Sequence, residues 1–500
     1  MKKPGFFFLL LCSIIIISIS ILLNFIIGMI LLFMLGTIYY FIKKPQTCIE
    51  RLILSAIFLA PCSNIFVIKT GYIDLKILQF FWLGIFTLIL IHKEFFKTKY
   101  LNNSTNYSKN MIYAVYIAGI MFSCLFSMSI KISIKELFQY IYLFLLMLVI
   151  YKQAQKPGFL DKIVNVLILS NVFLIISCLI SYYSGSMLIP AFKMYPDGHI
   201  TVLDQLYKTQ ALVESKNIIN RIDGVMGLDT IAIANCILIQ AIAINYKIRK
   251  ARGKLKSFYI LLFLANILTL SLTYSRAALL LFVVFNIITL LGKNHKVNFA
   301  VIVISLCCIP IALSLFPSLY ERMLEALNPQ EGSTKYHFVY WLIAIRQGYD
   351  HLLTGIGLGN AAYNHDAYAY LFEKYRLYKS NQVDVHNFVL QVWAEQGIIG
   401  LICNLLLVTY PIIRYIRLKF IDKLIPNKTL YDFLILSYIT TLTYNLTNNN
   451  FYLETFWVMA ALVYVCNEMY SSGQRALQYK TSDNYPAGGF YEKTNLKADF

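Results

Sequence analysis

Long apolar runs with almost no charged residues recur along nearly the whole chain of 500 residues, and they leave few folds open. Runs of about 20 such residues are typical of helices that cross a bilayer. Backbone groups in lipid must be hydrogen-bonded within the protein, so these runs are predicted to be helices. With 58% hydrophobic and only 14% charged residues, the composition argues against a soluble protein. The predicted fold is an all-α polytopic integral membrane protein with about 12–14 transmembrane helices. The predicted spans include a pair of helices at about 5–42 and single helices at about 49–67, 163–183 and 298–316.

The distribution of basic residues predicts the orientation of these helices. A formal net charge of +19 fits cytoplasmic loops and anionic headgroups, so it does not require nucleic acid as a partner. The basic clusters fall on alternate sides of successive spans, which places both termini in the cytoplasm. The N-terminal run resembles a signal peptide but has no convincing small-residue cleavage site, so we expect an uncleaved first helix. Ten cysteines lie in or beside apolar runs without a CxxC motif, and neither disulfides nor a zinc site is expected.

Alternating apolar and polar sequence divides the chain into six segments. In order, these are N-terminal transmembrane helices (1–183), a first long loop (184–228), transmembrane helices with a hairpin tip at Ser275-Arg276 (229–316), a large loop (317–396), C-terminal transmembrane helices (397–469) and a polar cytoplasmic tail (470–500). The two long loops, the hairpin tip and His386 are all predicted to lie on the same, non-cytoplasmic face.

Two arginines on that face are candidates for binding an anion. Arg276 lies in a very short turn between two apolar helices, where a charge at membrane depth is a functional hypothesis by default. Its planar guanidinium suits phosphate oxygens, and Ser275 adds a hydroxyl. Arg221 precedes a glycine-containing turn at a predicted helix start, where backbone N–H groups can help to bind an anion. The alternative for Arg221 is an interfacial arginine that anchors a helix end.

A histidine at the end of the large loop is the candidate base. On a helix, His386, Leu390, Trp393, Gly397 and Gly400 would share one face, and the glycines would let that face approach a neighbouring helix. The alternative is an interfacial histidine where a helix enters the bilayer. Together with the two arginines, this histidine suggests a substrate with a pyrophosphate and an imidazole that accepts a proton. The arginines would neutralise the departing pyrophosphate.

The large loop carries further candidate residues. His337 and Trp341 lie in an aromatic segment, and Gly355, Gly357 and Gly359 form a glycine-rich turn. No strand–helix–strand pattern surrounds these glycines, so we predict a turn that shapes a pocket rather than a dinucleotide site. No acidic pair of the metal-binding or glycosidase type is evident in the outer loops, and no metal or other cofactor is expected.

These motifs resemble those of the O-antigen ligase and polymerase superfamily of bacterial envelope glycosyltransferases. His386-Asn387 followed by Gly397 and Gly400 is similar to the ligase signature. The turn from Leu353 to Gly359, the Ser275-Arg276 hairpin and the Arg221-x-x-Gly224 motif are also similar. The features that carry the resemblance lie between about residues 200 and 410. They are fairly specific for the superfamily and poorly specific for the reaction within it.

The resemblance implies a function and roles for residues. Such enzymes take a glycan from an undecaprenyl-pyrophosphate lipid at the periplasmic face of the inner membrane, within a helix bundle of the class C glycosyltransferase type and without metal. Ligases transfer it to lipid A–core, and polymerases transfer it to another lipid-linked repeat unit. His386 would be the base on the acceptor hydroxyl, with Asn387 beside it, and Arg276 and Arg221 would hold the donor pyrophosphate. His337 stands where the family often has an arginine, four residues before the position of Trp341.

The first hypothesis is therefore an O-antigen ligase-like glycosyltransferase, and the closest alternative is an O-antigen or exopolysaccharide polymerase. Expected partners are an undecaprenyl-pyrophosphate-linked glycan, a lipid A–core or lipid-linked glycan acceptor, and membrane lipids. A transporter or flippase is disfavoured because the polar residues cluster on the outer face and no internal repeat is evident. Glu136 and Glu395, the ionisable candidates near spans, are expected to be interfacial. A purely structural scaffold leaves Arg276 unexplained.

Overall fold

The computed structural model describes residues 36–37, 39–69, 74–92, 106–205, 222–290, 332–364, 366–378, 385–425 and 429–471. Within these ranges the chain is mostly helical, as predicted. The predicted spans at about 5–42 and 298–316 lie largely or wholly outside the described residues, as does nearly all of the C-terminal tail. The predicted total of about 12–14 spans therefore stays a prediction.

The helices follow the apolar runs of the sequence. They are labelled in chain order as α1 (Pro45–Phe58), α2 (Ile77–Ile91), α3 (Asn106–Leu125), α4 (Ile130–Ala154), α5 (Phe159–Ser184), α6 (Thr230–Lys250), α7 (Gly253–Leu272), α8 (Arg276–Leu290), α9 (Gly332–Asp350), α10 (Ala369–Lys374), α11 (Phe388–Ile416), α12 (Leu430–Tyr444) and α13 (Glu454–Ser471). Among the described residues, six helices are long and apolar enough to cross a membrane: α3, α4, α5, α6, α7 and α11 with its short extension. The protein is a multi-pass membrane protein.

Helix α6 lies at the centre of the bundle. In the most apolar stretch of α6, which is long enough to cross a membrane, 89% of the residues are buried. The helix packs against α5, α7 and α12. Asp229 begins the helix, because its Oδ1 accepts the backbone N–H of Ala232 at 2.7 Å. A buried amide network joins α6 to its neighbours, with Asn171 of α5 donating to Gln240 at 3.1 Å and to Asn266 of α7 at 2.8 Å. Such interhelical hydrogen bonds stabilise helix packing in lipid.

A four-stranded sheet that the sequence analysis did not predict covers part of one end of the bundle. Its strands are β1 (Phe66–Lys69), β2 (Asp74–Lys76), β3 (Ser186–Met194) and β4 (Ile200–Gln205). The spatial order is β2-β1-β3-β4, with β1 parallel to β3 and the other two pairs antiparallel. Strands β3 and β4 therefore lie within the region that was predicted to be a long loop.

The predicted helical span at about 49–67 is shorter in the structure. Helix α1 ends at Phe58, and Pro61 follows inside a single 3₁₀ turn, Ala60–Cys62. Proline restricts the residue before it and cannot donate to a helical hydrogen bond, so it ends the helix there. The apolar residues that follow continue into β1 instead. The apolar run alone did not show whether the helix continues to residue 67 or ends early and is followed by a strand.

The candidate residues gather at one end of the bundle. The backbone N–H of Ile222, just before α6, donates to the Leu272 carbonyl at the end of α7 at 3.0 Å. The backbone N–H of Phe388, at the start of α11, donates to the Asn445 carbonyl at the end of α12 at 2.9 Å. The basic cluster at the end of α6 is at the opposite end of that helix. Backbone hydrogen bonds thus join these helix ends in two pairs, the start of α6 with the end of α7 and the start of α11 with the end of α12.

Candidate active site

Two histidine rings meet beside the start of α11. The ring centroid of His386, two residues before the helix, lies 4.7 Å from that of His337 on α9, and the ring planes are inclined by 64°. Both residues are half-buried. The structure thus brings the predicted base together with the residue that stands in place of an arginine.

The backbone at His386 has an uncommon conformation that its neighbours hold in place. Its φ is +53°, which is sparsely populated for a residue with a side chain. Asn387 acts as the N-cap of α11, because its Oδ1 accepts the backbone N–H of Leu390 at 3.1 Å. The Nδ2 of Asn387 donates to the Leu446 carbonyl at 2.8 Å. The amide of Asn387 therefore fixes the position of His386 relative to the segment after α12.

The glycine-rich turn docks onto a break in α11. Gly397 has φ +61° and ψ −164°, so the helix is interrupted there and the carbonyls of the preceding residues are released. Ile356 N–H donates to the Ala394 carbonyl at 3.0 Å, and Gly357 N–H donates to the Glu395 carbonyl at 2.9 Å. In the opposite direction, Ile398 N–H donates to the carbonyl of Leu352 at 2.9 Å. Backbone groups that the break leaves unpaired are thus satisfied by the turn.

The glycines of the turn are needed where the chain comes closest to its neighbours. A Cβ on Gly355 would lie 2.3 Å from the backbone of Glu395, and a Cβ on Gly397 would lie 2.5 Å from the backbone of Leu353. A Cβ on Gly357 would lie 2.4 Å from the Ser127 hydroxyl, and one on Gly359 would lie 2.3 Å from the side chain of Glu136. The turn therefore contacts both α11 and the α3–α4 connection at distances that exclude a side chain.

The predicted shared helical face of His386, Leu390, Trp393, Gly397 and Gly400 is wrong. His386 lies before the helix, and the break at Gly397 interrupts the helical repeat on which the prediction depended. A neighbouring helix, α3, does approach α11 closely as expected, but the glycine that permits the contact belongs to α3. A Cβ on Gly119 of α3 would lie 2.8 Å from Cys403 and 3.9 Å from Gly400, while a Cβ on Gly400 would meet Gln396 of its own helix.

The hairpin tip is anchored on the end of α12. The hydroxyls of Ser275 and Tyr444 are 3.0 Å apart, and the Tyr444 ring is fully buried. Arg276 is the first residue of α8 and is half-buried. Since the next residues along the chain, Asn445 and Leu446, accept hydrogen bonds from Phe388 and Asn387, one short segment holds both the tip and the start of α11.

Arg221 lies outside the described residues. The segment that follows it is well defined, because the Ile222 carbonyl accepts the Thr230 hydroxyl at 3.1 Å and Asp223 accepts the Thr230 backbone N–H at 3.2 Å. Ile222 N–H is also bonded to the Leu272 carbonyl, three residues before Ser275. The chain directly after Arg221 therefore lies beside the hairpin tip that carries Arg276.

Trp341 packs where the glycine-rich turn meets the residue before His386. It contacts a small apolar cluster that includes Val385, Ile356 and Ala394. Its indole N–H is buried and finds no hydrogen-bond partner among the described residues. Among all the residues that the structure describes, no group of three or more His, Cys, Asp or Glu side chains is arranged to hold a metal ion.

The sequence analysis missed the segment between α12 and α13 (residues 445–453). Asn449 Nδ2 donates to the Oε1 of Gln391 at 2.5 Å, and Gln391 in turn donates to the Glu395 carboxylate at 3.0 Å. Burial raises the pKa of Tyr452 well above its usual range, so its phenol remains protonated. The available signal was four asparagines within the six residues 445–450, which is a polar composition for a gap between two apolar spans.

Comparison with known proteins gives one family match. Residues 260–405 match the family model described as O-antigen ligase. The matched segment covers α8 and α9, most of α7, the glycine-rich turn and the first half of α11, so it contains Ser275, Arg276, His337 and His386. Among curated proteins, none matches this chain.

Proposed function

We propose, from the match of residues 260–405 to the O-antigen ligase family model, that the chain is a ligase-like glycosyltransferase. It moves a glycan from undecaprenyl pyrophosphate to an acceptor hydroxyl on lipid A–core at the periplasmic face of the bacterial inner membrane. The observation that carries the proposal is the placement of His386. This imidazole is held in a strained turn against His337, and its segment shares an anchor with the tip that carries Arg276.

In this mechanism His386 accepts the proton of the acceptor hydroxyl. The acceptor oxygen forms a bond to the anomeric carbon while the bond from that carbon to the pyrophosphate oxygen breaks. The negative charge that develops on the departing undecaprenyl pyrophosphate is stabilised by Arg276 and Arg221, whose guanidinium groups suit phosphate oxygens. A direct displacement of this kind inverts the configuration at the anomeric carbon, and a product with retained configuration would exclude it.

The first test is complementation of a deletion in the host. Wild type, His386→Ala and Arg276→Ala are reintroduced, and lipopolysaccharide and lipid-linked glycan are resolved side by side on a gel. We expect the deletion to lose capped lipopolysaccharide while long lipid-linked polymer accumulates, and both variants to behave like the deletion. If the deletion strain instead carries only single repeat units, both on lipid A–core and on the undecaprenyl lipid, the protein is the polymerase of the same superfamily.

Matched controls separate a loss of chemistry from a loss of protein. His199→Ala changes an exposed histidine in the β3–β4 turn, and Arg252→Ala changes an exposed arginine at the opposite end of the bundle. Both controls should restore capped lipopolysaccharide, and all variants should reach the membrane in equal amounts. Restoration by both His386→Ala and Arg276→Ala would contradict the assigned site.

A further inference from the structure

A cleft in the side of the bundle lies next to the candidate active site. Its cavity volume is about 780 Å³, and its walls are α2, α4, the end of the glycine-rich turn and Gln391 and Glu395 of α11. This volume is within the range of pockets that bind small molecules or parts of larger ones. We call it the side cleft, and none of the predicted substrate-binding residues lines it.

The side cleft changes from polar to apolar along its length. Lys76 and Gln79 line it at the start of α2, and Lys135 and Glu136 line it near the start of α4. Ten residues further along each helix, Phe86 and Leu145 line it. At a rise of about 1.5 Å per residue, the polar and apolar parts are separated by about 15 Å along the helices. This gradient matches an amphiphile with a polar head and a hydrocarbon chain.

The cleft is open to the side along the apolar residues between its polar and apolar ends. Leu83 is 60% exposed and Phe138 is 61% exposed, although both line the cleft on helices that are otherwise packed. Exposed apolar side chains on membrane helices face lipid, so a chain enters this part directly from the bilayer.

The polar part offers groups that bind sugar hydroxyls. The Glu395 carboxylate is fully buried and lines the cleft, with the amide of Gln391 donating to it at 3.0 Å. Gln391 Nε2 also lies 3.4 Å from the Tyr452 hydroxyl. Carboxylates accept hydrogen bonds from hydroxyl groups, and amides and phenols can donate or accept them.

The charges of the polar part disfavour a pyrophosphate. Asp74 is paired with Lys69 at 2.6 Å, which leaves Lys76 and Lys135 beside two carboxylates, those of Glu136 and Glu395. The site thus has no excess of positive charge for a group with at least two negative charges.

The position of His386 relates the side cleft to the hairpin tip. Gln391 N–H donates to the Asn387 carbonyl at 2.9 Å, so the cleft begins one helical turn after the histidine segment. Tyr444, the last residue of α12, contacts the tip, and the segment that follows it contacts the cleft through Asn449. We propose that the side cleft binds the acceptor glycolipid, with a sugar of its head beside Glu395 and a hydrocarbon chain between α2 and α4. This inference rests on the proposed function, because it assigns the donor pyrophosphate to the arginine side.

A photocrosslinking experiment tests the occupant without turnover. The full chain is reconstituted in phospholipid vesicles that contain either purified lipid A–core or an undecaprenyl-pyrophosphate-linked glycan. A p-benzoylphenylalanine replaces Leu83 in the cleft or, as a control, Ile176 of α5, which is 48% exposed at a similar distance from the helix end. We expect lipid A–core to crosslink at position 83 and not at position 176. Preferential crosslinking of the undecaprenyl-linked glycan at 83, or only phospholipid at both positions, would overturn the proposal.

A kinetic experiment tests the role of the carboxylate. Glu395→Gln keeps the shape and an acceptor oxygen for Gln391 but replaces the second carboxyl oxygen, which can accept a sugar hydroxyl, by an amide group, so we expect the KM for lipid A–core to rise about tenfold. The KM for the donor should change less than twofold, and Glu373→Gln, at an exposed position on α10, should change neither. A rise in donor KM instead would contradict the assignment. If the wild type transfers no glycan, the proposed function fails, and the crosslinks still decide the occupant of the cleft.

Discussion

Gly397→Ala is expected to release the glycine-rich turn from α11. The backbone at Gly397 has φ +61° and ψ −164°, a region that is populated almost only by glycine. The added methyl group would also lie 2.5 Å from the carbonyl carbon of Leu353 and 2.7 Å from the backbone nitrogen of Gly355. Backbone atoms cannot move aside as a flexible side chain can. The variant therefore relieves the contact by separating the two segments.

The structure sets the size of this effect. Separation breaks the three backbone hydrogen bonds donated by Ile356, Gly357 and Ile398, and each contributes about 1 kcal/mol net. The free energy that holds the turn against α11 should fall by about 3 kcal/mol, and each 1.4 kcal/mol is about a factor of ten. Hydrogen exchange at these three amides should therefore become about 100-fold faster.

Two control substitutions separate the causes. Gly198→Ala, in the β3–β4 turn, introduces strain at φ +81° with no atom within 4 Å of the new methyl group. Gly84→Ala, inside α2, introduces neither strain nor contact. Exchange at the turn amides should be unchanged in both, and glycan transfer should be lost only in Gly397→Ala, because the turn packs beside Val385 and so positions His386. Exchange and activity like wild type in Gly397→Ala would refute this account.

Two further predictions concern contacts between side chains. His337→Ala removes the ring that packs against His386 and should lower glycan transfer, whereas His337→Phe keeps a ring at this place and should lower it less; equal transfer by the two variants would show that the ring does not position His386. Glu468→Ala should lower the free energy of unfolding by about 3 kcal/mol, because it removes the carboxylate that lies 3.2 Å from the buried Lys109 ammonium. The double variant Lys109→Met, Glu468→Leu should recover much of this loss, and thermal unfolding measures both variants. A double variant whose loss equals the sum of the two single losses would contradict the pairing.

The sequence predicted those parts of the fold that depend on local hydropathy. Helix α5, for example, spans Phe159–Ser184 where the apolar run predicted about 163–183. The prediction failed at α1, where Pro61 ends the helix and the apolar residues beyond it pair as β1 with the distant strand β3. Pairing between strands so far apart in sequence depends on tertiary contacts, which a pattern of period two or 3.6 does not encode.

For the candidate site, the chemistry of the residues was easier to predict than their geometry. An arginine between apolar helices and a histidine at a loop exit are unusual enough to be selected by type alone. That His337 contacts His386 depends on the packing of α9 against α11, which no sequence spacing specifies. The helix break at Gly397 is likewise invisible to a helical repeat, because a single glycine inside an apolar run is compatible with an unbroken helix.

The end of α12 and the segment after it connect the hairpin tip, the start of α11 and the side cleft. The backbone of this segment lies among helix ends, where peptide groups that lack helical partners must find others. Asn445 and Leu446 use their carbonyls to hold the start of α11, and the side chain of Asn449 holds Gln391 one turn later. Tyr444 fixes the same segment to Ser275. Residues 444–449 therefore connect the hairpin tip, the histidine segment and the side cleft, and under the proposed function this short connection would hold donor and acceptor at a fixed separation.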